Sequence, residues 1–265
     1  MYVLRLTCPA ELVDFISAEL WEAGTSGIEE RQRGDSVTLA ASFEFNDARA
    51  ALLRNFQQHS PEWEQADPID WVRATKEAWP ARCIGERLFV ATPWSAEPTP
   101  PGRSRIIQNP GLACGTGEHP CTQLALVALE KRVTRGCRVL DVGSGSGILA
   151  IAALRLGAGA AIGADVDVAA LAAAQENFAL NELVPALVGG SAEAIAARCS
   201  DVTVANIGGT VLASMLDDLV RITRPGGWLI LTGFPHTEAR FFEERFAASE
   251  VSGLEEWRCL SAKIS

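Results

Sequence analysis

The run Val139-Leu140-Asp141-Val142-Gly143-Ser144-Gly145-Ser146-Gly147 carries the residues whose types and spacing point most directly to chemistry. Apolar and β-forming residues lead into a glycine-rich turn, and Ile148-Leu149-Ala150-Ile151-Ala152-Ala153-Leu154 continues as a helix. A strand, a turn without side chains and a helix start together make a site where backbone amides face a ligand. A Cβ in that turn would block both positive φ angles and the close approach of a ligand. Asp165 ends the next apolar run, 22 residues after Gly143. That is close to the spacing of roughly 20 residues at which an acidic side chain reaches ribose hydroxyls in nucleotide-binding βαβ units. The combination predicts an adenosine-containing cofactor; the plainer alternative is a structural βα turn with Asp165 as a loop residue. A dinucleotide fingerprint G-x-G-x-x-G would need its third glycine at Ile148, which disfavours a nicotinamide dehydrogenase. No P-loop run occurs, and the turn holds no Lys or Arg to neutralise a pyrophosphate.

The elements that position these residues alternate along the chain. Apolar segments 138–142, 160–164, 185–188, 201–206 and 228–232 read as strands separated by helical runs, which implies a parallel, doubly wound sheet of Rossmann-like α/β type. Ligands in such sheets lie beyond the carboxyl ends of the strands. Asp167 precedes the helical run Ala169–Phe178 and reads as its N-cap. Upstream, residues 2–7 alternate like a strand, and Pro9 opens a helix-like run to about Ala23. Residues 26–32 and 36–42, around Arg33-Gly34-Asp35, read as a hairpin, and Asn46 caps a second helix through about Gln57. Strand, helix, hairpin and helix begin a small α+β, split-βαβ domain. The expected organisation is a small domain over 1–60, a linker region over 61–104 containing the stiff run Glu97-Pro98-Thr99-Pro100-Pro101-Gly102, and a large domain over 105–265. Trp71 and Trp79 would share a face of a helix over 70–79, where packing between domains outweighs substrate reading.

The chain has 265 residues, 48% of them hydrophobic, and a formal charge of −10. That acidity opposes a direct grip on nucleic acid, which needs clustered Lys and Arg. It suits either a basic polypeptide partner or simple solubility. Seven cysteines (8, 83, 114, 121, 137, 199 and 259) form no C-x-x-C pair, and three histidines complete no zinc pattern, so no metal is expected. Reduced cysteines and the lack of a leader-like N-terminus suggest a cytoplasmic protein. The apolar stretch 148–164 contains Arg155, Gly157, Gly159 and Gly163, and reads as helix, loop and strand rather than a membrane span.

Two further clusters fall at the predicted strand ends. Asn206-Ile207-Gly208-Gly209 follows an apolar strand but lacks the prolines and aromatic ring that would hold a planar amide or base. Asn206 instead suits the N–H groups of an aliphatic amine, unless it is a mere turn-former. The other cluster, Asn109-Pro110-Gly111-Leu112-Ala113-Cys114-Gly115-Thr116-Gly117-Glu118-His119-Pro120-Cys121-Thr122, stands ahead of a helix expected to begin near Gln123.

The glycine run resembles the first motif of class I methyltransferases, whose ligand S-adenosylmethionine carries no phosphate. The segments PGLACGTGEHPCT, DVGSGSGILAIAA, GADVDV and VANIG together resemble the methyltransferases of ribosomal protein L-eleven, from about Asp70 to Trp257 and more weakly over 1–60. The resemblance implies a Rossmann-like methyltransferase sheet preceded by a ferredoxin-like domain that recognises the ribosomal protein. It implies S-adenosylmethionine as cofactor, held by Thr122, Gly143, Gly145, Gly147, Asp165 and Asn206. Thr122 would lie near the cofactor's carboxylate end, and Asn206, the candidate catalytic residue, near the transferred methyl. Cys114 replaces a phenylalanine of that pattern, Cys121 the first of two threonines, and Gly208-Gly209 a Leu-Ala pair, leaving a less enclosed acceptor channel. His119 reads as a hinge or hydrogen-bonding residue more readily than as a base.

The implied reaction is methylation of lysine or α-amino nitrogens of ribosomal protein L-eleven. Transfer needs a neutral amine, and moving a lysine of pKa near 10.4 into a low-dielectric channel achieves this without a dedicated base. Two alternatives stay open: the same chemistry on another protein lysine or a small amine, and a cofactor-binding module without catalysis.

Overall fold

The computed structural model describes residues 2–25, 27–34, 36–43, 49–65, 79–110, 117–246 and 248–265. It divides into two units, Met1–Ala78 and Trp79–Ser265.

In the first unit the elements are β1 (Tyr2–Pro9), α1 (Val13–Glu22), β2 (Gly27–Arg33), β3 (Ser36–Phe43), α2 (Arg49–Asn55) and β4 (Glu62–Gln65). The strands pair antiparallel in the order β2-β3-β1-β4, which is the β-α-β-β-α-β arrangement expected from the N-terminal pattern. Alternation in β1 sends Leu4, Leu6 and Cys8 to one face. There they pack with Val37, Leu39 and Phe43 of β3 and with Ile16 and Leu20 of α1. Trp63 of β4 rests against Phe43, ring centroids 5.4 Å apart. Asn46, and residues 70–78 of the helix proposed over 70–79, with Trp71, lie outside the described residues; Trp79 stands at a bend.

The second unit opens with a three-stranded sheet, β5 (Arg82–Ile84), β6 (Leu88–Ala91) and β7 (Ser104–Ile107), in that order. Described residues within the proposed linker 61–104 therefore lie in sheets. The short strand 62–65 belongs to the first sheet and 82–91 to the second. The Pro-rich stretch crosses from β6 to the parallel β7.

Next come α3 (Pro120–Arg132), β8 (Arg138–Val142), α4 (Ile148–Leu156), β9 (Ala160–Asp165), α5 (Val168–Leu180), β10 (Leu187–Gly189) and β11 (Ser200–Asn206). The chain ends with α6 (Gly209–Ile222), β12 (Thr223–Pro235), α7 (His236–Arg245), β13 (Ser249–Leu254) and β14 (Trp257–Lys263). Seven strands form one sheet in the order β10-β9-β8-β11-β12-β14-β13. The first five are mutually parallel, and β14 and β13 add an antiparallel edge that the sequence pattern did not reveal. Strand order reverses between β8 and β11, the place where doubly wound sheets bind ligands.

Both faces of this sheet are covered, as its parallel strands require. Val139, Val204, Ile230 and Cys259 face α3 and α4, while Leu140, Ala205, Leu231 and Leu260 face α6 and α7. Helix α4 buries Ile148 through Ala153 on every side, and its alanines allow close approach to the sheet. Fully burying a side chain such as Ile151 contributes about 1.5–3 kcal/mol. Among the described residues no helix is long and apolar enough to cross a membrane.

Candidate functional site

Register brings the sequence-predicted residues together. Val142 pairs with Ala164 on one side and with Ala205 on the other. The next residue on each strand is Gly143, Asp165 and Asn206, so the three stand side by side at the carboxyl ends of β8, β9 and β11. The turn after β8 has positive φ at Gly143 (70°), Gly145 (51°) and Gly147 (78°). A Cβ on Gly143 would collide with the Ile207 side chain, and one on Gly147 would meet Ala174 at 3.1 Å and Phe178 at 3.2 Å. Glycine is required at both positions for conformation and for space.

The turn's amides are largely tied to β9. The N–H groups of Gly143 and Ser144 both donate to the Ala164 carbonyl, at 2.8 and 3.1 Å. That of Gly145 donates to Asp165 Oδ2 at 2.8 Å, and Asp167 N–H donates to Oδ1 at 3.0 Å. This differs from the expectation that those amides face a ligand: Asp165 fixes the turn as well as pointing outward. A carboxylate has about four lone-pair positions, so each oxygen of this half-buried group keeps room for another donor. Asp167 is the N-cap of α5, as expected, its Oδ1 accepting Ala169 N–H at 2.8 Å.

A second tie holds the turn from above. Asn177 on α5 donates to Ser146 O and accepts Asn109 N–H, both at 2.9 Å. One turn later Asn181 accepts Ile107 N–H at 2.9 Å and donates to Ile107 O at 2.6 Å. These two buried amides lock the end of β7 to the glycine turn. Sequence reasoning missed them, although two asparagines spaced i, i+4 on one helix face were the available signal.

Helix α3 begins at Pro120, earlier than the expected Gln123, because proline suits the first helical position. His119 is the N-cap, its Nδ1 accepting Cys121 N–H at 3.2 Å, and its ring lies edge-on to Trp257 with centroids 4.8 Å apart. That bond occupies the nitrogen lone pair and gives His119 a structural task. Thr122, buried in the first turn, accepts the Asn206 side-chain amide through Oγ1 at 3.2 Å. Asn206 is half-buried, and its Oδ1 has no protein partner among the described residues. Cys114 lies outside the described residues. A Cβ on Gly208 would meet nothing within 4 Å, whereas one on Gly209 would press on Glu238 and Phe234.

Below the turn, Asp141 is fully buried. Its Oδ2 accepts Ala150 N–H at 3.2 Å, while its Oδ1 and the buried Ser144 Oγ have no partner among the described residues. Burial, assisted by the charge of Asp165, raises the Asp141 carboxyl to about 7.

A parallel sheet with a glycine turn after its first strand, an acidic residue ending the second and an asparagine ending the fourth is a Rossmann-like arrangement with its ligand site at the strand ends. Residues 4–265 match the family described as ribosomal protein L11 methyltransferase (PrmA). The chain is 34% identical to the ribosomal protein L11 methyltransferase of Geobacter metallireducens, over 97% of this chain and 96% of that one. It is 42% identical to the protein of the same name in Geobacter sulfurreducens, over 72% of this chain and 65% of that one. The crystal structure of a ribosomal protein L11 methylase from Lactobacillus delbrueckii subsp. bulgaricus superposes with a TM-score of 0.63 at 30% identity, covering 68% of this chain and 96% of that chain. The chain belongs to the ribosomal protein L11 methyltransferase family.

Proposed function

We propose that this protein transfers methyl groups from S-adenosylmethionine to lysine or α-amino nitrogens of ribosomal protein L11. The observation that carries the reading is the family match over residues 4–265, joined to the rim where Gly143, Asp165 and Asn206 stand side by side.

The residues present fit the cofactor. Gly143, Gly145 and Gly147 all take positive φ, and a Cβ on Gly143 or Gly147 would press on Ile207 or on Ala174 and Phe178, so the turn is kept free of side chains where the cofactor would approach. Asp165 retains lone pairs for two ribose hydroxyls after serving the turn. Thr122 would hold the cofactor's carboxylate end, and Asn206 would stand beside the reacting groups. Bound S-adenosylmethionine supplies a methyl group carried on a sulfonium.

The chain's own residues bind, orient and dry the acceptor. Asn206, held through Nδ2 by Thr122, offers Oδ1 to an N–H of the incoming amine. An ammonium entering this half-buried rim loses solvation, which lowers its pKa and favours the neutral nucleophile. No dedicated base is assigned, since the Nδ1 lone pair of His119 caps α3. Fixing amine and methyl in line supplies several kcal/mol through orientation alone.

The open space beside Gly208, where the family pattern has leucine, supports one second reading: the same transfer to another protein lysine or a small amine. Both are tested by offering the protein methyl-labelled S-adenosylmethionine with purified L11, the other large-subunit proteins and a panel of small amines. Label on L11 amines is expected. Label confined to another acceptor would establish the second reading, and cofactor binding without any transfer would refute both.

A further inference from the structure

Helix α5 turns one narrow face inward. Its buried residues are Ala174, Asn177 and Phe178, and Asn181 follows at its C-terminal end, also buried. The spacing i, i+3, i+4, i+7 puts all four on one stripe. Ala174 and Phe178 are the residues that a Cβ on Gly147 would meet, so this stripe lies against the glycine turn. Apolar side chains on such a stripe are ordinary packing. Two asparagines are not, because a buried amide is costly unless its donors and acceptor are used.

The two amides serve different targets. Asn181 accepts Ile107 N–H at 2.9 Å and donates to Ile107 O at 2.6 Å, doing for the edge of β7 what a neighbouring strand would do. It also donates to Asn177 O at 2.8 Å, and its own carbonyl accepts Arg155, from the last turn of α4, at 2.8 Å. None of these bonds reaches the turn. Asn177 bridges two segments, donating to Ser146 O and accepting Asn109 N–H, both at 2.9 Å. Ser146 stands between Gly145 and Gly147, and Asn109 opens the segment that ends in Thr122.

A turn built on three glycines has little stiffness of its own, since glycine visits both signs of φ readily. The bonds from Gly143, Ser144 and Gly145 to Ala164 and Asp165 hold it from β9. The Asn177 bond holds it from α5. Because a peptide unit is planar, fixing Ser146 O fixes the plane that joins Ser146 to Gly147, where α4 starts.

We infer that Asn177 is a positioning residue for the cofactor: its side-chain amide sets the glycine turn and ties that setting to Asn109, whereas Asn181 anchors β7 and leaves the turn alone. The inference rests on the reading that the turn receives S-adenosylmethionine. Asn177 acts through Ser146 and touches no reacting atom.

The test compares wild type with Asn177→Ala and Asn181→Ala, each of which removes one buried amide. The readouts are S-adenosylmethionine affinity by calorimetry, cofactor KM and kcat for methyl transfer, and amide hydrogen exchange without cofactor. Losing the bond to Ser146 O should weaken cofactor affinity and raise cofactor KM by about tenfold in Asn177→Ala, with kcat at saturating cofactor within about twofold of wild type. Exchange at Gly145 and Gly147 should speed up in the same variant. Asn181→Ala should keep affinity within about twofold of wild type and leave exchange in the turn unchanged. The inference is overturned if Asn177→Ala binds cofactor as wild type does, or if both variants lose affinity equally. Should Asn177→Ala fail to fold, wild type alone decides: adding S-adenosylmethionine should slow exchange at Asn109 by about tenfold relative to the amides of β14, and no such slowing would overturn the inference. A wild type that binds no S-adenosylmethionine would count against the proposed function. Exchange in the turn without cofactor would then still decide whether Asn177 sets it, unchanged exchange in Asn177→Ala being the refuting result.

Discussion

Replacing Asp141 with asparagine should change how stability depends on pH, and the structure gives the size of the effect. The Asp141 side chain is fully buried on β8, with one oxygen bonded to Ala150 N–H and the other without a partner among the described residues. Burial first, and the Asp165 charge second, lift its pKa from 3.8 to about 7. Between those values the native protein keeps a proton that the unfolded chain has lost. Stability therefore falls as pH rises through this window and is level above it. At 1.36 kcal/mol per pKa unit, the full window amounts to about 4 kcal/mol, of which about 2 kcal/mol falls between about pH 5 and 7. Asp141→Asn preserves the shape and the acceptor for Ala150 N–H but cannot titrate. Urea unfolding of both proteins from about pH 5 to 8.5 should show wild type losing about 2 kcal/mol relative to the variant by pH 7, with no further loss. Parallel stability curves, or a wild type that gains on the variant as pH rises, would refute the assignment of a buried, proton-holding Asp141.

Two other perturbations probe the rim and its support. Asp165→Ala removes a charged acceptor, and hydrogen bonds to charged groups contribute about 1.5–3 kcal/mol, so calorimetric affinity for S-adenosylmethionine should fall by roughly ten- to more than a hundredfold. Unchanged affinity would remove Asp165 from the cofactor site. Asn177→Ala cuts the ties to Ser146 O and Asn109 N–H. It should cost about 1–3 kcal/mol in chemical unfolding and speed hydrogen exchange in the turn 143–147; a variant as stable as wild type would mean the tie is idle.

The site was legible in the sequence wherever local pattern and strand ends coincide. Gly143, Asp165 and Asn206 each follow an apolar strand by one residue or end it, and a parallel register then has to align them. Asp167 was readable as a cap because a short acidic side chain precedes a helical run. His119 was not, although the proline at the first position of α3 announced that helix. The strands at 62–65, 82–84 and 88–91 were hidden because each is only three or four residues long, and the partner of 62–65 is the distant β1. The antiparallel edge β13–β14 was lost for a related reason: β13 is almost entirely exposed and shows no apolar alternation. The Asn177 and Asn181 ties are products of tertiary register that no single segment encodes.

The most direct test of the central claim is a single-turnover assay at saturating S-adenosylmethionine. Purified ribosomal protein L11 would be the acceptor for wild type and for Asn206→Ala, with methyl groups located by tandem mass spectrometry. The account predicts methylation of lysine or α-amino nitrogens by wild type. For Asn206→Ala it predicts markedly slower transfer with cofactor affinity little changed. No methyl on L11 from wild type would contradict the assigned acceptor. Equal rates for the two proteins would contradict the placement of the chemistry at the rim formed by Gly143, Asp165 and Asn206.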